Sequence, residues 1–206
     1  MKSHSFLLLL VTFTIAWQDR VPVPVAPGLQ DRANAQHAAR LKTDDRIQFY
    51  RALIANRPSD LKNTVLLAGA YLQKMRETTD FSYVARAAAL LEGVIRVDPK
   101  CYDALRLQTE VQLEYHRFFD VVESSKLLIK VAPADPWNYG TMGDALIEIG
   151  EYDRGADAFQ KMVDLRPDLS SYNRGAHYRF LNNDVQGAID IMRQAINAGS
   201  SSPANV

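Results

Sequence analysis

A single cysteine, Cys101, serves the whole 206-residue chain, so no intrachain disulfide can staple it and the core alone must hold the fold. Excess charge of either sign is missing too. Lysine plus arginine and aspartate plus glutamate number 24 each, which leaves no overall field to draw the protein to nucleic acid or an anionic membrane. Any recognition of charge has to be local. The four histidines, His4, His37, His116 and His177, stand far apart with no second ligand type at metal spacing. There is no CxxC, no HExxH, no phosphate-binding loop and no G-x-S-x-G. Carboxylates are common, but as scattered helix-surface acids rather than an acid and base pair. These absences argue against an enzyme, a cofactor or a metal, and leave Cys101 as a small thiol beside a turn.

What the chain does contain is a globular composition, 47% hydrophobic and 23% charged. Its start, MKSHSFLLLLVTFTIAW, puts Lys2 before an apolar run from Phe6 to Ala16, the order of a secretory signal peptide cut after Ala16. The run of 11 residues falls short of the roughly 20 needed to span a bilayer, with an uncleaved anchor as the alternative. VPVPVAPG, from Val21 to Gly28, then reads as an extended tether. The expected organisation is a signal over 1–16, a proline-rich linker with a weak helix over 17–44, a folded body over 45–199, and a tail or the start of a further unit over 200–206.

Within the body, Pro58, Pro99, Pro133 and Pro167 close apolar helical patterns and lie 41, 34 and 34 residues apart. Four and five residues before each sits an apolar pair: Leu53 and Ile54, Val94 and Ile95, Leu128 and Ile129, Met162 and Val163. Eight before stand Tyr50, Leu91, Ser125 and Phe159, and these offsets share one helical face. Ala188, Met192, Ala195 and Ile196 repeat the pattern once more. Each such helix has a partner before it with a small residue, Ala68, Thr109, Gly143 or Ala176, where a neighbour can approach closely. Gly150 marks a helix C-terminus. Two short antiparallel helices bury little alone, but a stack of them shares one continuous core, so a 34-residue period predicts an all-α helical solenoid. The seven extra residues of the 41-residue interval fall in QKMRETTDFSY, a polar stretch expected to lengthen the first helix or the turn without disturbing packing.

Tyr139, Gly143, Gly155, Phe159 and Pro167 fall in the order of the tetratricopeptide repeat, and GEYDRGADAF resembles that repeat's turn and second-helix start. The second unit is degenerate, with Leu105, Thr109, Gln112, Val121 and Ser125 in those slots, and the fourth has Arg179 where an aromatic is expected. The resemblance implies a right-handed superhelix of about four repeats plus an N-terminal partial repeat. It also implies that first helices line a concave groove. Carried onto this chain, the ligand-facing slots include Asp103, Arg106, Glu110 and Glu114, then Trp137, Asp144 and Glu148, then Asn173, His177 and Phe180. Acids in the centre and aromatics toward the end suit a peptide with basic and apolar side chains. The family's clamp for chaperone tails needs a lysine and an asparagine where this chain has Val65 and Gly69, which argues against that role.

The function expected is therefore a non-enzymatic, exported scaffold that binds a protein or peptide in its groove, with no cofactor, no metal, no nucleic acid and no membrane span after signal cleavage. The alternative is the N-terminal interaction arm of a longer enzyme or transport-assembly protein. The end of the last helix, with no capping helix after it, also allows self-association.

Overall fold

The computed structural model describes residues 29–199, so the expected signal and most of the linker, and the tail over 200–206, lie outside the described residues. Among the described residues there are ten helices and no strand. They are α1 Leu29–Ala38, α2 Thr43–Asn56, α3 Leu61–Thr78, α4 Ser82–Val97, α5 Tyr102–Glu114, α6 Phe118–Val131, α7 Pro136–Glu148, α8 Tyr152–Leu165, α9 Leu169–Leu181 and α10 Val185–Gly199. From α2 onward consecutive helices pack as antiparallel hairpins, and α3, α5, α7 and α9 also touch one another in series. Helix α2 starts at Thr43, which is buried and donates its hydroxyl to Glu77 on α3 at 2.6 Å, and Ala38 at the end of α1 packs in the same cluster as Ile47 and Leu67. In α1, Asn34 accepts from Gln30, and the His37 ring stands 5.0 Å from that of Phe49 on α2.

The repeated proline explains how each hairpin ends. Pro58, Pro99, Pro133 and Pro167 each follow a helix by two residues. The residue before each, Arg57, Asp98, Ala132 or Arg166, takes ψ of 84°, 89°, 75° or 94°, the non-helical range that a following proline imposes. Its N–H still closes the helix, for example from Asp98 to the Val94 carbonyl at 2.8 Å. An aspartate then opens the next helix in three of four cases. Asp60, Asp135 and Asp168 accept from the backbone N–H of Asn63, Trp137 and Ser171, satisfying donors that a helix start leaves open. Cys101 holds that position before α5 and supplies no such bond.

Three of the hairpin turns share one backbone device. His116, Gly150 and Asn183 have φ of 57°, 84° and 62°, and the residue after each donates to a carbonyl five residues back, as in a Schellman turn. Only Gly150 has no Cβ to strain there.

The core is a chain of clusters. Ile47, Tyr50 and Leu67 join α2 to α3; Leu72, Val84, Leu91 and Val111 join α3, α4 and α5; Val121, Ala145, Leu146 and Ala158 join α6, α7 and α8. The small slots are all buried, and Gly143 lies against Phe159 and Gly155 of α8.

The seven-residue insertion does more than expected. It adds five residues to α3 relative to α5, α7 and α9 and two to α4 relative to α6, while the turn stays at three residues. The added turn is not idle surface. Lys74 bonds Asp44 on α2 at 2.7 Å, Glu77 bonds Thr43, Arg76 pairs with Glu110 on α5, and Met75 is buried. A polar insertion can thus brace both neighbours because one more helical turn reaches past the ends of the shorter helices.

The degenerate second unit forms a polar seam. Gln108 Oε1 on α5, Ser125 Oγ on α6 and Asn138 Oδ1 on α7 are buried with no hydrogen-bond partner among the described residues. Tyr102 and Asn138 partly bridge it: the tyrosine hydroxyl donates to Asp135 at 2.8 Å and accepts from Asn138 Nδ2 at 2.9 Å. Burial, then the bond to Asp135, pushes the Tyr102 phenol up to about 12. A buried hydroxyl with no partner costs about 1–3 kcal/mol. Ser125→Ala should therefore raise the free energy of unfolding by about 1 kcal/mol, measured by urea denaturation, and a loss of stability would show that the hydroxyl is satisfied in solution.

Candidate binding groove

All the ligand-facing residues expected from the sequence lie on α5, α7 and α9, the helices that pack in series along one layer. Their partners differ from helix to helix. Trp137, whose N–H is fixed by the Asp135 cap, lies beneath two guanidiniums: Arg106 from α5, 5.9 Å from its ring, and Arg174 from α9, 5.5 Å away. Such contacts on an indole favour a fixed ring presented at the surface.

Arg174 is in turn held from the other side. Its Nε and Nη2 both reach the Asp144 carboxylate, at 2.8 to 3.0 Å, and Nη1 bonds Ser170. This is the forked geometry in which arginine is strongest. Glu110 likewise pairs with Arg76. Two of the acids expected to attract a basic ligand therefore already neutralise arginines of this chain. Glu114 is half-buried, and desolvation, followed by the charge of Glu110, raises its carboxyl pKa. The folded state thus favours its protonated form, a contribution present below the unfolded pKa and lost as pH rises through the folded one. Glu148, Asn173, His177 and Phe180 are exposed, and their side chains make no hydrogen bond or ion pair among the described residues.

Between α2, α3 and α5 the surface sinks into a groove of about 550 Å³. Arg46, Lys62, Arg76, Arg106 and Asp103 supply its charged lining, over a floor that includes Val65 and Leu107. Of these, sequence reasoning reached Asp103 and Arg106 but not Arg46, Lys62 or Arg76. Lys62 stands in the second slot of its unit, a position available to the same argument. Arg76 is brought in by the insertion, which no repeat alignment would mark. Among the described residues no group of three or more histidine, cysteine, aspartate or glutamate side chains converges as a metal site, and no helix is long and apolar enough to cross a membrane.

Residues 141–203 match the family model of the tetratricopeptide repeat. TTC0263, described as a thermophilic tetratricopeptide repeat protein in Thermus thermophilus, superposes with a TM-score of 0.70 over 84% of this chain and 92% of its own, at 14% identity. The fold is a tetratricopeptide-repeat solenoid. A MamA structure from Desulfovibrio magneticus RS-1, residues 41 to the end, shares this solenoid with a TM-score of 0.57 over 86% of this chain and 99% of its own, at 17% identity. No curated protein matches the sequence. In repeat terms α3 to α10 are four helical hairpins, preceded by the shorter pair α1 and α2. The groove lies where the first of these hairpins meets the second.

Proposed function

We propose that this solenoid is a non-enzymatic scaffold that binds a segment of a partner protein along the layer formed by α3, α5, α7 and α9. The observation that carries the reading is Trp137, whose backbone is held by a helix cap and whose indole lies against two arginines, one of which, Arg106, lines the groove. Such an aromatic is the kind that dominates binding energy at interfaces. Phe180, 60% exposed on α9, is a second aromatic side chain on this layer. The N-terminal segment supports export to the periplasm or cell exterior, so the partner is sought there. Trp137→Ala should weaken the captured partner about tenfold or more in calorimetric titration, with an unchanged far-ultraviolet dichroism spectrum. Equal affinity in the two proteins would remove the groove from the account.

A second reading is supported by Val185, Ile189 and Ile196, which leave α10 with exposed apolar surface of the kind that a stacked neighbour covers. In it the solenoid is the interaction arm of a longer enzyme or transport-assembly protein, or associates with its own copy. The intact mass of the native protein, with sedimentation at two concentrations, separates these from a single-chain adaptor.

A further inference from the structure

The charged lining of the groove between α2, α3 and α5 is lopsided, with four cations, Arg46, Lys62, Arg76 and Arg106, against the single acid Asp103. Arg76 is satisfied by Glu110 and Gln73. The other three are not well matched. Lys62 meets only Asp31, with both side chains about half exposed, an ion pair of the sort that contributes little and yields to a competitor. Arg106 makes no ion pair among the described residues and rests on Trp137. The Nε of Arg46 is buried with no hydrogen-bond partner and its Nη2 reaches the Thr43 hydroxyl at 3.2 Å; the Glu77 carboxylate, bonded to that hydroxyl, lies near enough to feel the charge but forms no ion pair with it. An unmatched buried donor on a cation favours a charged acceptor.

We infer that this end of the groove binds an acidic, partly apolar segment of a partner protein through its side-chain carboxylates. The inference rests on the groove reading above and narrows it. Lys62 and Arg76 stand 14 positions apart on α3, or about 21 Å of helix, which accommodates roughly six residues of extended chain. The floor, with Val65 and Leu107 and with Leu66 38% exposed, takes apolar side chains between the carboxylates. A small anion would leave that floor unused. A nucleic acid would need a longer basic track than these cations offer on a chain of zero net charge. Asp144 is held by Arg174 and so does not compete for the groove's cations, whereas Glu110 occupies Arg76 and leaves Arg46, Lys62 and Arg106 for a ligand.

The test uses the whole protein and a fluorescent decapeptide of alternating glutamate and leucine with an amidated C-terminus, followed by anisotropy. A counterpart with lysine for glutamate, the glutamate peptide with a free C-terminus, and a single-stranded RNA oligonucleotide serve as comparisons. Saturable binding of the amidated glutamate peptide, weakened by salt and weakened about tenfold or more in Lys62→Glu/Arg106→Glu, is the expected result. Arg106→Gln, which removes charge without adding a repulsive one, should give a smaller loss in the same direction and covers the case in which the double reversal disturbs folding. The inference is overturned by failure of the glutamate peptide to bind, by equal or tighter binding of the lysine peptide or the RNA, by binding that requires a free C-terminus, or by indifference to both variants. A native partner that depends on Trp137 but tolerates all of these substitutions would preserve the groove and remove only its acidic ligand.

Discussion

Gly143→Val should lower the free energy of unfolding by about 3 kcal/mol, close to the upper end of ordinary overpacking costs. Even a single Cβ at this position would clash with the edge of the Phe159 ring, 2.5 Å from Cδ1, and lie 3.2 Å from the Gly155 carbonyl oxygen. Neither obstacle is a flexible side-chain tip. Phe159 is buried in the interface, and Gly155 offers backbone, so α7 and α8 would have to move apart. Gly93 in α4 provides the comparison. Nothing lies within 4 Å of a Cβ built there, so Gly93→Ala should gain up to about 1 kcal/mol from helix propensity alone. Denaturant midpoints of the two variants moving in the same direction would contradict the close packing of α7 on α8.

Leu91→Ala should cost about 3 kcal/mol for the opposite reason, a hole instead of a clash. Leu91 has no exposed surface and packs with Leu72, Val84 and Val111 where α3, α4 and α5 meet. In a solenoid each unit leans only on its neighbours, so the damage should stay local. Amides of α3 to α5 should lose hydrogen-exchange protection first in this variant, whereas those of α7 and α8 should do so in Gly143→Val. Uniform loss along the chain in both would mean that the stack unfolds as one block.

Much of this architecture was legible because the residues that build it recur. The prolines at a 34-residue spacing, the apolar pairs before them and the small slots each do the same physical job in every copy, and each appears in the structure as that job. What could not be read were the contacts that do not recur. Arg174 and Asp144 form their fork across 30 residues, and the Arg76 pair depends on a helix extension found in one unit only. Arg179 looked like a missing aromatic. In the structure it bonds Asp184, whose other oxygen accepts from the Gly187 N–H at the start of α10, so the departure serves the turn. A slot-by-slot reading counts the acids of the first helices and omits the arginines paired with Glu110 and Asp144.

The seam in the second unit bears on how the molecule deforms. Parting α3 from α4 would expose a buried apolar cluster that includes Leu72, Val84 and Leu91, whereas loosening α5, α6 and α7 hydrates three polar atoms that the closed stack leaves unmatched. The superhelix should consequently yield more readily at α5 to α7 than between α3 and α4, like a spring with one compliant turn. That compliant turn lies where Arg106 meets Trp137, so a ligand long enough to span both walls would set the pitch of the whole coil.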